Sequence, residues 1–198
     1  MSTRIFFAGI LGGIVMFIWS FIGHDLLPLG KAGVHEMPNE DAVASALQSN
    51  IGDRTGFYFF PGPGVGPDAT RQQKEEGMKK AMEKMATAPS GVLIYHPPGR
   101  TFNFAKALGT EFATELVEAI LLVFLLAQSG IGSFVGRVGF IFIAGLVAAI
   151  ATNIPYWNWY GFPTDYTGGY MLIQVVGFLF VGIVAALLLR KSVSTAAA

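Results

Sequence analysis

Long uncharged stretches alternate with polar segments along this chain and predict helices that cross a membrane. Residues 5–23 carry no charged side chain, and about 20 apolar residues suffice for a helix to cross roughly 30 Å of hydrocarbon. Three further stretches are largely apolar, at about 108–128, 136–154 and 170–189. The pattern therefore predicts an all-α membrane protein, a bundle of four transmembrane helices.

The segment between the first two spans predicts a separate small domain. After a first span within residues 1–24, residues 25–103 are too many for a simple connector. The three other spans then follow within residues 104–198. Short runs rich in aromatic and β-branched residues, bounded by Gly and Pro, predict strands at 56–60 and 92–95. We therefore expect a small α+β insertion.

Two helices are expected beside these strands. Asn39 can cap a helix over residues 40–48, and Asp68 can cap a longer helix that ends near Ala86. On the longer helix an apolar stripe predicts a small core built largely from methionine side chains: Met78, Ala81, Met82 and Met85.

Basic residues beside the spans predict their orientation. Arg4 precedes the first span, Arg137 lies between the second and third, and Arg190 and Lys191 follow the fourth, whereas the short third loop contains only Asp165. Because Lys and Arg accumulate on cytoplasmic flanks, both termini are expected in the cytoplasm. The insertion is then extracytoplasmic.

Composition excludes several classes of function. Thirteen basic and thirteen acidic residues give a net charge of zero, which argues against a nucleic-acid partner because such binding requires a basic face. The absence of Cys excludes disulfides, thiolate metal sites and a cysteine nucleophile. No motif indicates a catalytic centre or a cofactor, so an enzyme is not the favoured interpretation.

Three acidic residues within the second span are the strongest chemical signal. Glu111, Glu115 and Glu118 are spaced so that, at about 100° per residue, they fall within an arc of roughly 60° on one helix face. If the span ends near Gln128, Glu118 lies about 15 Å inside the membrane, near its midplane. Acidic residues at such depth usually face a bundle interior or a cavity.

The glutamates allow two interpretations. They can be structural, protonated or hydrogen-bonded at a packed interface, or paired with a basic residue of another protein. Alternatively they can bind a proton or a hard metal ion, with polar residues at similar depth completing the cluster: His24, Asp25 and Asn153. No acidic or basic residue on the inner half of any span continues a path to the cytoplasm.

An aromatic string after the third span is the most distinctive sequence in the chain. Its rings match an aromatic belt at the headgroups, or else a ring-lined pocket for a lipid, a quinone or a pigment tail. The residues concerned are Tyr156, Trp157, Trp159 and Tyr160.

Small residues on the spans predict close helix packing. Gly9 and Gly13 are four residues apart, as are Gly145 and Ala149, and such pairs let helix backbones approach each other. They either join the spans of one chain or present a smooth face to another membrane protein.

Residues 57–62, Phe-Tyr-Phe-Phe-Pro-Gly, and residues 155–163, Pro-Tyr-Trp-Asn-Trp-Tyr-Gly-Phe-Pro, also carry a resemblance. With these two strings the chain resembles a loose set of bacterial four-span membrane proteins for which no activity is established. The resemblance covers most of the chain. It implies the topology and a bacterial source, and hence the inner membrane of a bacterium as the expected location. It implies no activity.

Together these features predict a non-catalytic accessory subunit of a larger membrane complex, such as a respiratory or photosynthetic one. Its partners would be the lipid bilayer and other integral membrane proteins. The alternative is a cation- or proton-handling protein that uses the glutamates. A weaker alternative is an enzyme that acts on a lipid at the outer surface, with His24 or His96 beside the carboxylates.

Overall fold

The computed structural model describes residues 3–189, and these form two compact units. One unit contains the residues up to Val34 and those from Asn103 onward, and the other is His35–Phe102. The start of the second unit thus lies later than the expected boundary at residue 25. Residues 25–34 belong with the first unit, and Arg190 and Lys191, used for the orientation, lie outside the described residues.

The first unit is built from four long helices. They are α1 (Thr3–Phe21), α4 (Phe104–Gln128), α5 (Phe134–Tyr160) and α6 (Thr164–Leu188). A π-helical turn at Ile22–Leu26 and a 3₁₀ turn at Pro28–Lys31 follow α1 directly.

Three segments are long and apolar enough to cross a membrane, which identifies a membrane protein with transmembrane helices. They are Thr3–Leu26, Phe134–Tyr160 and Thr164–Leu188. Helix α4 has 25 residues and is long enough, but its three glutamates make it too polar to meet the same criterion. Length and composition therefore identify three candidate spans among the described residues. They do not identify α4 as a fourth.

Helices α5 and α6 are longer than the sequence predicted. The third span was expected to end at 154, but α5 continues through Pro155 to Tyr160, and α6 begins at Thr164 instead of 170. Transmembrane helices tolerate proline because the structure around it satisfies the freed backbone groups. Helix α5 ends at Gly161, whose φ of 70° suits a residue without a Cβ.

Glycines allow α1 and α4 to pack closely and antiparallel. A Cβ placed on Gly9 would lie 2.7 Å from the Ile120 Cα atom, and one on Gly13 would lie 2.8 Å from the Leu116 Cα atom. The paired positions run in opposite directions along the two helices. This confirms the expected role of the Gly9–Gly13 pair in packing within the chain.

Helix α6 packs against both α1 and α5. Gly12 of α1 lies against Val181, and Gly145 of α5 lies against Phe178, so small residues again mark the contacts. The shared core is apolar and is formed mainly by Ala8, Met16, Ala119, Val123, Leu126, Ile141, Phe178, Val181 and Ala185.

The second unit is a two-stranded sheet with two helices. Along the chain it contains α2 (Glu40–Ile51), β1 (Gly56–Phe60), α3 (Arg71–Met85) and β2 (Gly91–Tyr95). The strands pair antiparallel, with Gly56 opposite Tyr95, which confirms both predicted strands. The buried Tyr95 donates its hydroxyl to the Gly52 carbonyl oxygen at 3.0 Å.

The two predicted helix caps are wrong in detail. Asn39 precedes α2 but adopts a φ of 53°, and its side chain makes no capping hydrogen bond. Helix α3 is capped by Thr70 and not by Asp68, because Thr70 and Gln73 form a reciprocal capping box that satisfies two backbone N–H groups at once.

The methionine stripe on α3 does not form a core. Ala81 is buried at 4% exposure, whereas Met78, Met82 and Met85 remain 52%, 62% and 48% exposed. The loop after β1 packs on α3, with Pro63 and Val65 against Gly77, and the methionine stripe that the sequence assigned to the interior lies at the surface.

The α1–α4 contact can be tested with matched glycine substitutions. Gly13→Ala should destabilise the protein by about 1–3 kcal/mol, because the new Cβ meets the Leu116 backbone and overpacking has about this effect. Gly139→Ala on α5 is the control, since nothing lies within 4 Å of its added Cβ. Denaturant unfolding in detergent measures both, and equal stabilities would contradict the close contact.

Candidate functional site

The three glutamates of α4 occupy three different environments. Glu115 is only 4% exposed, Glu118 is half-buried, and Glu111 is exposed. Although the three share one side of the helix, only Glu115 faces the packed interface with α1. The stripe seen in the sequence is therefore not a single cluster.

Glu115 is held by Ser20 of α1. The close approach at Gly13, where an added Cβ would lie 3.1 Å from the Glu115 carbonyl oxygen, brings the two helices within side-chain reach. The Ser20 hydroxyl donates to Oε1 of Glu115. Oε2 is also buried, and it has no hydrogen-bond partner among the residues that the structure describes. One carboxyl oxygen is thus satisfied and the other is not.

His24 joins this site through Ser20. Its Nδ1 atom lies 2.9 Å from the Ser20 carbonyl oxygen, and a carbonyl only accepts hydrogen bonds, so Nδ1 carries the hydrogen. The π-helical turn at Ile22–Leu26 positions the ring, and such turns are frequent at functional sites. Gly30 of the following turn lies directly against His24 and covers it.

Tyrosines of α6 form the next side of the site. The Tyr170 ring meets the His24 ring edge-on at a centroid distance of 5.1 Å. Tyr166 packs on Tyr170 at 4.4 Å, and Glu111 lies within electrostatic range of Tyr170. Glu111, Glu115, Ser20, His24 and the two tyrosines therefore gather at one end of the α1–α4–α6 packing.

Asn153, which was expected in this cluster, lies in a different one. Its amide donates to Oε1 of Gln174 at 3.0 Å and to the Ala149 carbonyl oxygen at 2.9 Å. Thr152 also donates to Gln174, at 3.3 Å. These residues link α5 to α6. Asp25 is exposed in the π-helical turn.

Ser20 and Gln174 are partners that sequence reasoning did not identify. Both are uncharged polar residues inside otherwise apolar spans. Ser20 stands four residues before His24, which places both on one side of a helix. That spacing was the only signal available, and it does not reveal the partner on another helix.

The aromatic residues at the end of α5 are largely exposed. Exposure is 51% for Tyr156, 43% for Trp157 and 78% for Trp159, as expected for rings at a membrane surface. The Trp157 indole N–H donates to the Thr164 hydroxyl at 3.2 Å, and Tyr156 packs on Tyr160 at 5.5 Å. The exposure favours an aromatic belt, and the ring-lined pocket stays a hypothesis.

An open groove of about 550 Å³ lies on the side of α4 away from α1. We call this surface the α4 outer face. All of the residues that line this face belong to α4. A lysine and a glutamate stand at its two ends, with small, hydroxyl-bearing and apolar residues between them: Lys106, Gly109, Thr110, Ala113, Thr114, Val117 and Glu118.

The described side chains that could bind a metal ion do not form a group. Within residues 3–189, no three His, Asp or Glu side chains lie close enough together to hold a metal ion. His96, the other histidine considered for an enzyme site, belongs to the second unit.

Removing the Ser20 hydroxyl tests its contact with Glu115. Ser20→Ala should lower the free energy of unfolding by about 1–3 kcal/mol, because it leaves a second buried carboxyl oxygen without a partner. Thr110→Ala is the control, since the Thr110 hydroxyl only donates to the Lys106 carbonyl oxygen of its own helix. If denaturant unfolding finds both variants equally stable, Ser20 does not hold Glu115.

Comparison with known proteins returned no match to a family model, to a curated protein or to a solved structure. The resemblance carried by residues 57–62 and 155–163 therefore stays a prediction.

Proposed function

We propose that this protein is a non-catalytic subunit of a larger membrane complex and assembles through the α4 outer face. In this proposal α4 is a fourth span, both termini are cytoplasmic, and His35–Phe102 lies outside a bacterial inner membrane. The observation that carries the proposal is the position of the half-buried Glu118 at the edge of a face that, within the described part of the first unit, is lined by α4 alone.

The packing of α4 along α1 supports its assignment as a span. At about 1.5 Å per residue, its 25 residues reach roughly 37 Å, enough to cross a bilayer. Its contacts with α1 extend from Gly9–Ile120 to Phe17–Phe112, whose ring centroids are 5.0 Å apart. A helix that lies antiparallel along a membrane span shares its depth in the membrane.

The basic residues agree with this orientation. Arg137 is buried at 7% exposure, and its Nε atom donates to the Ile131 carbonyl oxygen at 2.8 Å. It therefore anchors the connection between α4 and α5. That connection and the start of α1, where Arg4 lies, are expected on the same cytoplasmic side.

Cysteine accessibility tests the fourth span directly, because the natural chain contains no Cys. Lys79→Cys lies in the second unit, and Gly132→Cys lies between α4 and α5, where an added side chain meets nothing within 4 Å. In sealed membrane vesicles of one orientation, a membrane-impermeant maleimide should label only one of the two. Labelling of both before the vesicles are opened would mean that α4 does not cross.

The α4 outer face has the features of a helix–helix interface. Gly109 and Ala113 are small residues four positions apart, which permits close approach of a second helix. The hydroxyls of Thr110 and Thr114 donate to carbonyl oxygens of α4 itself, both at 2.9 Å. They therefore present their methyl groups outward. Val117, Leu121 and Leu125 continue the exposed face at 55%, 57% and 52%.

Glu118 makes lipid an unsuitable neighbour for this face. It lies about 15 Å from the end of α4 at Gln128, near the bilayer midplane, where an acidic side chain facing lipid is costly. Lys106, the basic residue on the same face, is about 18 Å away along the axis and cannot pair with it. We therefore expect a partner helix that supplies a Lys or Arg at the depth of Glu118.

The second unit offers a further contact surface. Met78, Met82 and Met85 are about half exposed, and methionine-rich surfaces adapt well to a binding partner. A subunit that packs against others outside the membrane as well as within it would cover this stripe.

Site-specific photocrosslinking tests the proposed interface. Val117 on α4 and Val147 on α5 share a residue type and have similar exposure, 55% and 62%. A photoreactive phenylalanine derivative at Val117 should crosslink to a transmembrane helix of another subunit in native membranes. The same group at Val147 should give only lipid adducts.

The identity and stoichiometry of the product decide the result. A companion protein that also co-migrates stoichiometrically on a native gel, and whose yield falls in Glu118→Gln but not in Asp165→Asn, supports the proposal. Crosslinks only between copies of this chain, or equal protein adducts from Val117 and Val147, would contradict an accessory subunit that docks through α4.

A further inference from the structure

We propose that Glu115 is a proton-binding site that exchanges its proton with the end of the helices where His24 and Glu111 lie and does not pass it across the membrane. This function is separate from assembly. It concerns a side chain enclosed by the chain's own helices and needs no partner protein.

The surroundings of Glu115 suit a neutral acid. Its side chain is 96% buried, and Oε2 has no partner among the described residues. An ionised carboxylate in such a place needs hydrogen bonds or a counter-charge, yet the one ion pair within residues 3–189 is Arg71–Glu75 in the second unit. A bound proton removes the charge and leaves only an acid hydroxyl at Oε2.

Among the described residues no Lys or Arg forms an ion pair with Glu115. Helix α4 contributes Glu111 and Glu118, which are both within electrostatic range. Helix α1 contributes the Ser20 hydroxyl and, behind it, His24, whose ring packs against Tyr170 of α6. Two neighbouring carboxylates make a further negative charge at Glu115 unfavourable.

A hydrogen-bonding group leads away from Glu115 toward the end of the helices where His24 and Glu111 lie. The Ser20 hydroxyl can accept a hydrogen bond as well as donate one, and the Ser20 carbonyl oxygen holds the His24 ring. Beyond them are Tyr170 and the exposed Glu111. The Ser20 hydroxyl can take up a proton from Glu115 as it releases its own, whereas the Ser20 carbonyl oxygen only orients the His24 ring. The next groups able to bind the released proton, Nε2 of His24 and the Glu111 carboxylate, lie at this end of the helices.

The opposite direction is closed by apolar packing. One turn beyond Glu115, Ala119 is 0% exposed, and Val123 and Leu126 follow at 0% and 2%. Ile141 of α5 and Val181 of α6 complete this part of the core, also at 0%. An apolar core offers no partner for a proton, and among the described residues no hydrogen bond joins Glu115 to Glu118. The site therefore binds a proton and does not conduct it.

Infrared spectroscopy of the purified full-length protein in nanodiscs tests the protonation. The wild type at neutral pH should show the C=O stretch of a protonated carboxyl group, and this component should be absent in Glu115→Gln and present in Glu111→Gln and Glu118→Gln. It should shift in D₂O, since the proton exchanges. Glutamine offers the same acceptor to Ser20 and an N–H donor at the other position, so the variant preserves the packing of a neutral acid.

His24→Phe tests the route. This change keeps an aromatic ring against Tyr170 but removes both ring nitrogens, so the D₂O shift of the Glu115 band should become several-fold slower. The Tyr58→Phe control, in the second unit, removes a hydroxyl that donates only to the Arg54 carbonyl oxygen and should leave the exchange rate unchanged. Equal exchange rates in wild type and His24→Phe would overturn the proposed direction of access.

Three other outcomes would overturn the proposal. A wild-type spectrum identical to that of Glu115→Gln would mean that Glu115 is ionised. Loss of the band on adding NaCl at constant pH would assign the site to a sodium ion. In proteoliposomes that contain a pH-sensitive dye, a potential-driven proton flux lost in Glu115→Gln would make it a conducting site. None of these measurements depends on a partner subunit, so they succeed or fail independently of the crosslinking experiment.

Discussion

The contact between α1 and α4 determines where the chemistry of this protein can lie. With glycine at positions 9 and 13, the backbones of the two helices come within van der Waals contact at Ile120 and Leu116. At that separation the short Ser20 side chain can reach the Glu115 carboxyl group. A larger residue at Gly13 would push the helices apart and leave the carboxyl group without its hydroxyl donor. The glycines are therefore as much a part of the site as the polar residues.

The same contact explains how a helix with three acidic residues fits a membrane protein. Isolated acidic side chains are costly in hydrocarbon, and each of the three meets this cost differently. Glu111 lies near the end of the helix and is exposed, and Glu115 is enclosed with Ser20. Glu118 is half-buried and borders the α4 outer face. The bundle thus encloses or exposes the first two by itself, and the partner helix proposed above would neutralise the third.

The sequence was sufficient for features that depend on local patterns and insufficient for those that depend on packing. Three candidate spans and both strands follow from apolar runs and from turn residues. The extension of α5 through Pro155 does not follow from the sequence, because proline usually ends a helix in water. Whether a transmembrane helix continues past a proline depends on the residues packed around it. Ser20 and Gln174 were not identified because their hydrogen-bond partners lie on other helices. The polar cluster that was expected from depth in the membrane alone is divided, since the Asn153 amide donates a hydrogen bond to Gln174.

Helix geometry explains why neighbouring glutamates can serve different purposes. Glu115 and Glu118 are three residues apart, so their directions differ by roughly 60° around α4. That rotation carries the side chain from the seam with α1, where Ala119 and Val123 are fully buried, to the groove lined by α4 alone. A single acidic stripe therefore supports an enclosed carboxyl group and an outward one, because the width of the stripe exceeds the width of the α1–α4 contact. Proton binding by one and assembly by the other are compatible for this reason.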